Sequence, residues 1–291
     1  MKKTLIPLLG GIAFCCLGAG AVSSASAQEF KEHISKEFTP SKGAGSVLCI
    51  YNFSGFVKVE GYSGDKVLLE IDKTLSAEDA AGLEAGKKEF RLEFEQQQDT
   101  IMAYIAGPWD SRPHRQYNRW NEDRDIPYRY DLEFTVKVPF SMNLVVSTVN
   151  KGSVTVKDVA GNMKVNNVNG PLTVTNAKGV IMANTVNGAV DVSYVSNPPA
   201  ASSYRTVNGN ITVSYQPGLS ADLQFKSMNG SYYTDFPQVQ ILGPTIVKNT
   251  ERRGDGTVYK LNARTAIRIG AGGLTHHFET LNGNIYIKKQ S

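Results

Sequence analysis

The chain has 291 residues, 41% of them hydrophobic and 20% charged, with a formal charge of +4. Lys2 and Lys3 supply part of that charge, and the rest of the chain is nearly neutral with no basic stripe, which gives no electrostatic ground for a nucleic-acid partner. Of the three cysteines, Cys15 and Cys16 lie in the apolar leader, so Cys49 alone remains and a disulfide framework is excluded.

Residues 1–27 read as an export signal. Lys2 and Lys3 form a basic start, Leu5 to Val22 is mostly apolar, and Ala25-Ser26-Ala27 fits a small-x-small cleavage site. The rival membrane anchor falls short of the ~20 apolar residues of a spanning helix. A lipoprotein would want a small residue before its cysteine, and Phe14 precedes Cys15. The expected mature chain, 28–291, is one exported β-repeat domain with no transmembrane segment, in the periplasm or at the cell surface.

Residues 28–140 form an irregular N-terminal β part. Ser46 to Glu60 and Lys66 to Asp72 have strand character, and Ser76-Ala77-Glu78-Asp79 has the pattern of a capping box opening a helix near 77–90. Phe90 to Gln96 and Thr100 to Ala106 alternate like paired strands around Gln97-Gln98-Asp99. A long loop is expected over 107–129, then a strand from Tyr130 to Val138 that Pro139 stops.

Regular repeats occupy 141–291, and a looser copy at Phe53-Ser54-Gly55 places the first of them in the N-terminal part. An apolar residue followed by Asn-Gly returns at Val168-Asn169-Gly170, Val186-Asn187-Gly188, Val207-Asn208-Gly209, Met228-Asn229-Gly230 and Leu281-Asn282-Gly283. Val149-Asn150-Lys151-Gly152 carries one extra Lys, and the glycines from 152 to 230 recur every 18 or 21 residues. Spacing of this kind marks stacked repeats. After each turn, aliphatic residues alternate with polar ones (Val154 and Val156, Leu172 and Val174, Val190 and Val192, Ile211 and Val213, Ile285 and Ile287), the period of a strand with one buried face.

Before each turn the expected core positions are Leu48, Ile50 and Phe53, then Met163, Val165 and Val168. Ile181, Ala183 and Val186 follow, then Leu223, Phe225 and Met228. Two polar residues precede the third member, which predicts a bulge there. Asn and Gly tolerate positive φ, so the pair suits a tight corner. The predicted fold is all-β, a parallel β-solenoid (helix or roll) of short two-strand coils, with an antiparallel meander or sandwich as the alternative because Asn-Gly is also the strongest hairpin signal. A second loop is expected at 237–257.

Phe53-Ser54-Gly55-Phe56-Val57-Lys58-Val59-Glu60-Gly61, a helical insert, Phe134-Thr135-Val136-Lys137-Val138-Pro139 and the Val-Asn-Gly run together resemble the bacterial β-strand-repeat family of unknown function that is labelled as adhesins. The resemblance spans about residues 40 to 289. It implies a β-helical or roll-like exported protein without known catalytic residues.

No nucleophile elbow, phosphate loop, zinc motif or calcium repeat is present. Adjacent His276 and His277 would face opposite sides of a strand and cannot chelate one metal. His276 takes the inward offset of Met163 and Ile181. Asp191 shares its offset with Thr173 and Thr212, which offer no carboxylate partner for glycan cleavage. No metal and no cofactor are expected.

The candidate binding residues lie in the 107–129 loop and at its edge: Trp109, Arg112, Arg115, Tyr117, Arg119, Trp120 and Tyr128. Trp, Tyr and Arg dominate binding hot spots, while the same loop could instead cap an open end of the stack. Cys49 reads as a packed strand thiol, with intermolecular pairing as its alternative. The functional expectation is a non-enzymatic, adhesin-like protein presenting a surface to an envelope protein or glycan. A structural envelope protein without a soluble ligand, or a β-helical glycan-active enzyme, are the alternatives.

Overall fold

The computed structural model describes residues 28–41, 45–113, 125–253 and 256–291, without the side chains of 244–264. The export-signal reading of 1–27 lies outside the described residues. What is described is all-β, with one helix and two large mixed sheets, neither closed into a barrel.

The first sheet runs, in spatial order, β1 (Gln28–Phe38), β4 (Val67–Ala77), β7 (Tyr128–Pro139), β3 (Val57–Tyr62), β9 (Val154–Lys157), β11 (Leu172–Ala177), β13 (Val190–Tyr194), β15 (Ile211–Tyr215), β21 (Ile285–Lys289) and β17 (Tyr232–Thr234). The second runs β18 (Val239–Arg253), β19 (Gly256–Ile269), β16 (Ala221–Lys226), β20 (Leu274–Glu279), β14 (Ser203–Arg205), β12 (Ile181–Asn184), β10 (Met163–Asn166), β8 (Asn143–Ser147), β2 (Val47–Tyr51), β6 (Thr100–Gly107) and β5 (Arg91–Gln97). Through the repeats, consecutive strands alternate between sheets and pair in parallel, as in Leu172↔Val190 and Met163↔Ile181. Antiparallel pairs are confined to β1–β4–β7, β5–β6 and β16–β19–β18. Two layers over one core are also compatible with the sandwich alternative.

Period-two alternation decides which residues fill the core. Val154, Val156, Leu172, Val174, Val190, Val192, Ile211, Val213, Ile285 and Ile287 from the first sheet meet Leu144, Met163, Val165, Ile181, Ala183, Leu223 and Phe225 from the second. Burying a Val or Ile side chain is worth roughly 1.5–3 kcal/mol, so these ladders dominate the stability.

The third expected core position is corrected. Phe53, Val186 and Met228 are exposed and Val168 only half-buried. The residue before takes the inward place: Asn52, Asn167 and Thr185 are buried, as is Thr206 before Val207, while Ser227 before Met228 is half-buried. Alternation continues unbroken as Met163, Val165, Asn167, and the bulge is not needed. These polar side chains are satisfied by the preceding turn. Asn167 Nδ2 donates to Gly152 O (2.9 Å), Thr185 Oγ1 to Gly170 O (2.9 Å), Thr206 Oγ1 to Gly188 O (2.8 Å) and Thr280 Oγ1 to Gly209 O (3.1 Å). A buried acceptor left unpaired would cost about 1–3 kcal/mol, so the core must turn polar at this corner.

The reason for glycine is corrected as well. Among the repeat-turn glycines 55, 152, 170, 188, 209, 230 and 283, only Gly55 has a positive φ, +101°. At Gly188 the constraint is steric, since a Cβ there would lie 2.2 Å from Gly170 O in the neighbouring repeat.

The helix α1 (Ala80–Glu89) starts three residues after the expected 77, because β4 continues to Ala77 and Asp79, not Ser76, is the cap. Asp79 accepts from Gly82 N at 2.7 Å. The 237–257 loop is replaced by the antiparallel hairpin β18–β19, paired from Val239↔Ile269 to Arg253↔Gly256. Its β-branched content supports strands, and only Gly254 and Asp255 separate the last pair. The final repeat is out of order: β20 lies between β14 and β16, and β21 between β15 and β17.

Candidate functional site

The outer face of the second sheet is built from the residues that alternation turns away from the core. Register aligns Lys164, Met182, Ser203, His277 and Gln224 in one row across β10, β12, β14, β20 and β16. A second row holds Asn166, Asn184, Arg205, Glu279 and Lys226. Between them lies a depression of about 330 Å³ lined by Met182, Asn184, Ser203, Arg205, Gln224 and Lys226, with His277 and Glu279.

Its electrostatics centre on Glu279, which accepts from Lys226 Nζ at 2.5 Å and pairs with Arg205 at 2.9 Å. Burial alone would raise this carboxyl, but the Lys226 hydrogen bond and the Arg205 charge hold it below the usual carboxylate range. Two cations against one anion leave a net positive charge among these three groups. Asn184 Nδ2 donates to Asn166 Oδ1 at 3.2 Å, so one amide proton of Asn184 remains to face outward. The rows thus offer amides, a hydroxyl, a guanidinium and an ammonium beside the half-exposed Met182 thioether.

Toward the β6 end, the chain after β6 folds back over the same sheet. Ser111 Oγ donates to Tyr51 O (2.7 Å) and receives Ile105 N (2.9 Å). Arg112 lies 3.8 Å above the Tyr104 ring, bonds Asp110 in a fork and reaches Glu95 at 3.2 Å. Cys49, on β2 in the outward register, is nonetheless buried. Burial pushes its thiol up, and pushes the neighbouring Tyr51 hydroxyl up to about 12.

Of the binding residues expected from sequence, Trp109 and Arg112 belong to this returning segment, with Arg112 held by Asp110 and Glu95. Tyr128 is buried on β7 against Gly86 of α1, its hydroxyl 3.4 Å from Glu89. Arg115, Tyr117, Arg119 and Trp120 lie outside the described residues. The turn residues come together as a ladder: Asn169 Nδ2 donates to Asn150 Oδ1, Asn187 to Asn169, Asn208 to Asn187, Asn282 to Asn208 and Asn229 to Asn282, at 2.7–2.8 Å. Sequence reasoning missed Met182, Asn184, Arg205 and Lys226. The signal available was their shared outward offset, but the place of β20 between β14 and β16 could not be inferred from it.

His276 is buried, accepts from Ser202 N at 3.0 Å, and stacks on Tyr215 at 5.7 Å. Burial, then the neighbouring His277, lowers its pKa to about 4. Tyr204 Oη lies 2.7 Å from Tyr194 Oη and 3.3 Å from Tyr215 Oη, an internal hydroxyl cluster. Among the described residues, no group of three or more His, Cys, Asp and Glu could hold a metal ion. No helix among them is long and apolar enough to cross a membrane.

No family model and no curated protein matches the chain. Solved structures overlay on most of it at low identity. One, described as a putative cell adhesion protein from Clostridium sporogenes, is 12% identical over 90% of this chain and 100% of its own, with a TM-score of 0.39. A putative adhesin from Bacteroides fragilis is 11% identical over 89% and 97%, with a TM-score of 0.34. A putative lipid binding protein from Parabacteroides distasonis is 10% identical over 89% and 97%, at 0.28.

Proposed function

We propose that this is an exported, adhesin-like repeat protein: a two-sheeted parallel β-solenoid, without catalytic activity, whose second sheet presents its outer face to a glycan of the cell envelope. The parallel pairing from β3 to β17 and from β2 to β16 supports the solenoid, since equal offsets stack one strand spacing apart. The leader composition of residues 1–27 supports export, to the periplasm or the cell surface.

The observation that carries the binding reading is the depression of amide, hydroxyl and cationic side chains around Met182. Polyhydroxyl ligands are held by such forked hydrogen-bonding groups beside a small apolar contact. From β2 to β16 the face extends six strand spacings, roughly 29 Å at ~4.8 Å each, long enough for several sugar units. Trp109 and Arg112, in the described stretch that follows β6, stand beyond its β2 end and would extend the same surface.

Retention of the mature chain on isolated envelope polysaccharide tests this. The double variant Asn184→Ala, Arg205→Ala is expected to bind at least tenfold more weakly with an unchanged melting temperature, because both side chains reach solvent. Equal retention of variant and wild type, or retention of neither, sinks the assignment.

A further inference from the structure

The two ends of the stack are finished differently. At the β1 end the edge strand turns Glu32 and Lys36 toward the core side, and Lys73 lies over the Phe30 and Phe90 rings at 5.6 and 5.8 Å. Inward-pointing charge on an edge strand discourages pairing with another chain. Helix α1 also packs against β4, β7 and β1 there.

The β17 end carries none of these devices among the described residues. Each Asn-Gly turn accepts two side-chain bonds from the turn stacked on it: one at the Asn Oδ1 and one at the Gly carbonyl. The last turn in space, Asn229-Gly230, joins the stack in the ordinary way: Asn229 Nδ2 donates to Asn282 Oδ1 and Ser227 Oγ donates to Gly283 O (3.3 Å). Among the described residues no side chain donates to its own Asn229 Oδ1 or Gly230 O, and Met228 beside them is 73% exposed. Beyond it the first sheet ends at β17, whereas the second continues for two more strands, β19 and β18.

That overhang has an apolar inner side. Leu223 is core, and register places Ile267 opposite it and Ile241 opposite Ile267. Exposure rises along this row from 0% at Leu223 to 79% at Ile241. Among the described residues the first sheet has no strand to cover it. Tyr233 on β17 stacks on Tyr286 at 5.1 Å and is 51% exposed at the same edge.

We propose that this step accepts an extended strand from a partner polypeptide, added in parallel to the free edge of β17 and bearing an Asn-Gly turn of its own. The partner's chemistry is set by the junctions already present. An amide must donate to Asn229 Oδ1, and an inward Thr, Ser or Asn must donate to Gly230 O. The residue after the ladder Asn must lack a Cβ, as Gly230 itself does: a Cβ there would lie 1.8 Å from Gly283 O, and one at Gly283 1.9 Å from Gly209 O. Two alternating aliphatic side chains would then cover Ile267 and Ile241. Strand addition of this kind takes affinity from backbone bonds and specificity from alternate side chains. This surface is separate from the sugar-facing depression and does not depend on it.

A labelled synthetic peptide with the sequence of residues 279–290, which holds Asn282-Gly283-Asn284-Ile285-Tyr286-Ile287, is the probe, titrated by fluorescence anisotropy into the full chain. The peptide is expected to bind, and the same peptide with Gly283→Ala to bind at least tenfold more weakly. Ile241→Lys in the protein, a change at an exposed position verified by an unchanged melting temperature, is expected to weaken binding at least tenfold. Equal affinity of the two peptides, or binding of neither, overturns the proposal. So does binding insensitive to Ile241→Lys, because the peptide would then be exchanging with the chain's own β21. A concentration-dependent dimer abolished by Ile241→Lys overturns it too, by placing a second folded copy on the step.

Discussion

A methyl group at Gly170 would sit 2.0 Å from Gly152 O, whereas at Gly218 a Cβ would meet nothing within 4 Å. The same substitution therefore has opposite consequences at the two turns. Gly170→Ala must push two repeats apart and is expected to cost about 1–3 kcal/mol, as overpacking does. Gly218→Ala restricts only the unfolded chain and should be neutral or stabilising by about 0.4–1 kcal/mol. Urea unfolding of the two variants measures both, and a destabilised Gly218→Ala together with a neutral Gly170→Ala would remove the steric account of the ladder.

At the scale of an element, β20 is seated by a neutral imidazole. His276 Nδ1 must be free of its proton to accept from Ser202 N, and its pKa of about 4 lies below the ordinary 6.5. A histidine depressed on folding binds its proton more readily in the unfolded chain. Its contribution is therefore complete above pH 6.5 and is lost as the pH falls toward 4. The difference corresponds to roughly 3 kcal/mol. Melting from pH 7 to 4.5 should show this loss, and His276→Leu should flatten it while lowering stability at pH 7, because Ser202 N loses its acceptor. A wild-type and variant pair with parallel pH profiles would show that His276 does not couple to folding. The inward offset of His276 was legible in the sequence, as was the alternation of Val154, Leu172, Val190 and Ile211. The buried Asn167, Thr185 and Thr206 were not, because polar residues are read outward unless a turn carbonyl is known to await them. The 239–269 hairpin was not either, since the glycine spacing that guides the eye stops at Gly230.

For the whole molecule, the decisive feature is the insertion of the last repeat between two earlier ones. Sequence order could not reveal it: Gly283 and Gly230 are far apart in the chain, yet their turns are neighbours, and the Met182–Arg205–Lys226 depression exists only because β20 fills the gap. In a stack where each repeat touches only its neighbours, stability is a sum of units and junctions. Withdrawing β20 and β21 breaks four parallel pairings at once, and β16 and β17 then keep no junction to β14 or β15. Native-state hydrogen exchange on the intact chain is expected to show β16, β17, β20 and β21 opening together with one free energy. That opening should come below the one shared by β8 to β13. Amides of β16 and β17 that stay protected while those of β20 and β21 exchange would mean that the hairpin arm holds its own repeat in place, and that the inserted strands are an addition to the stack and not its keystone.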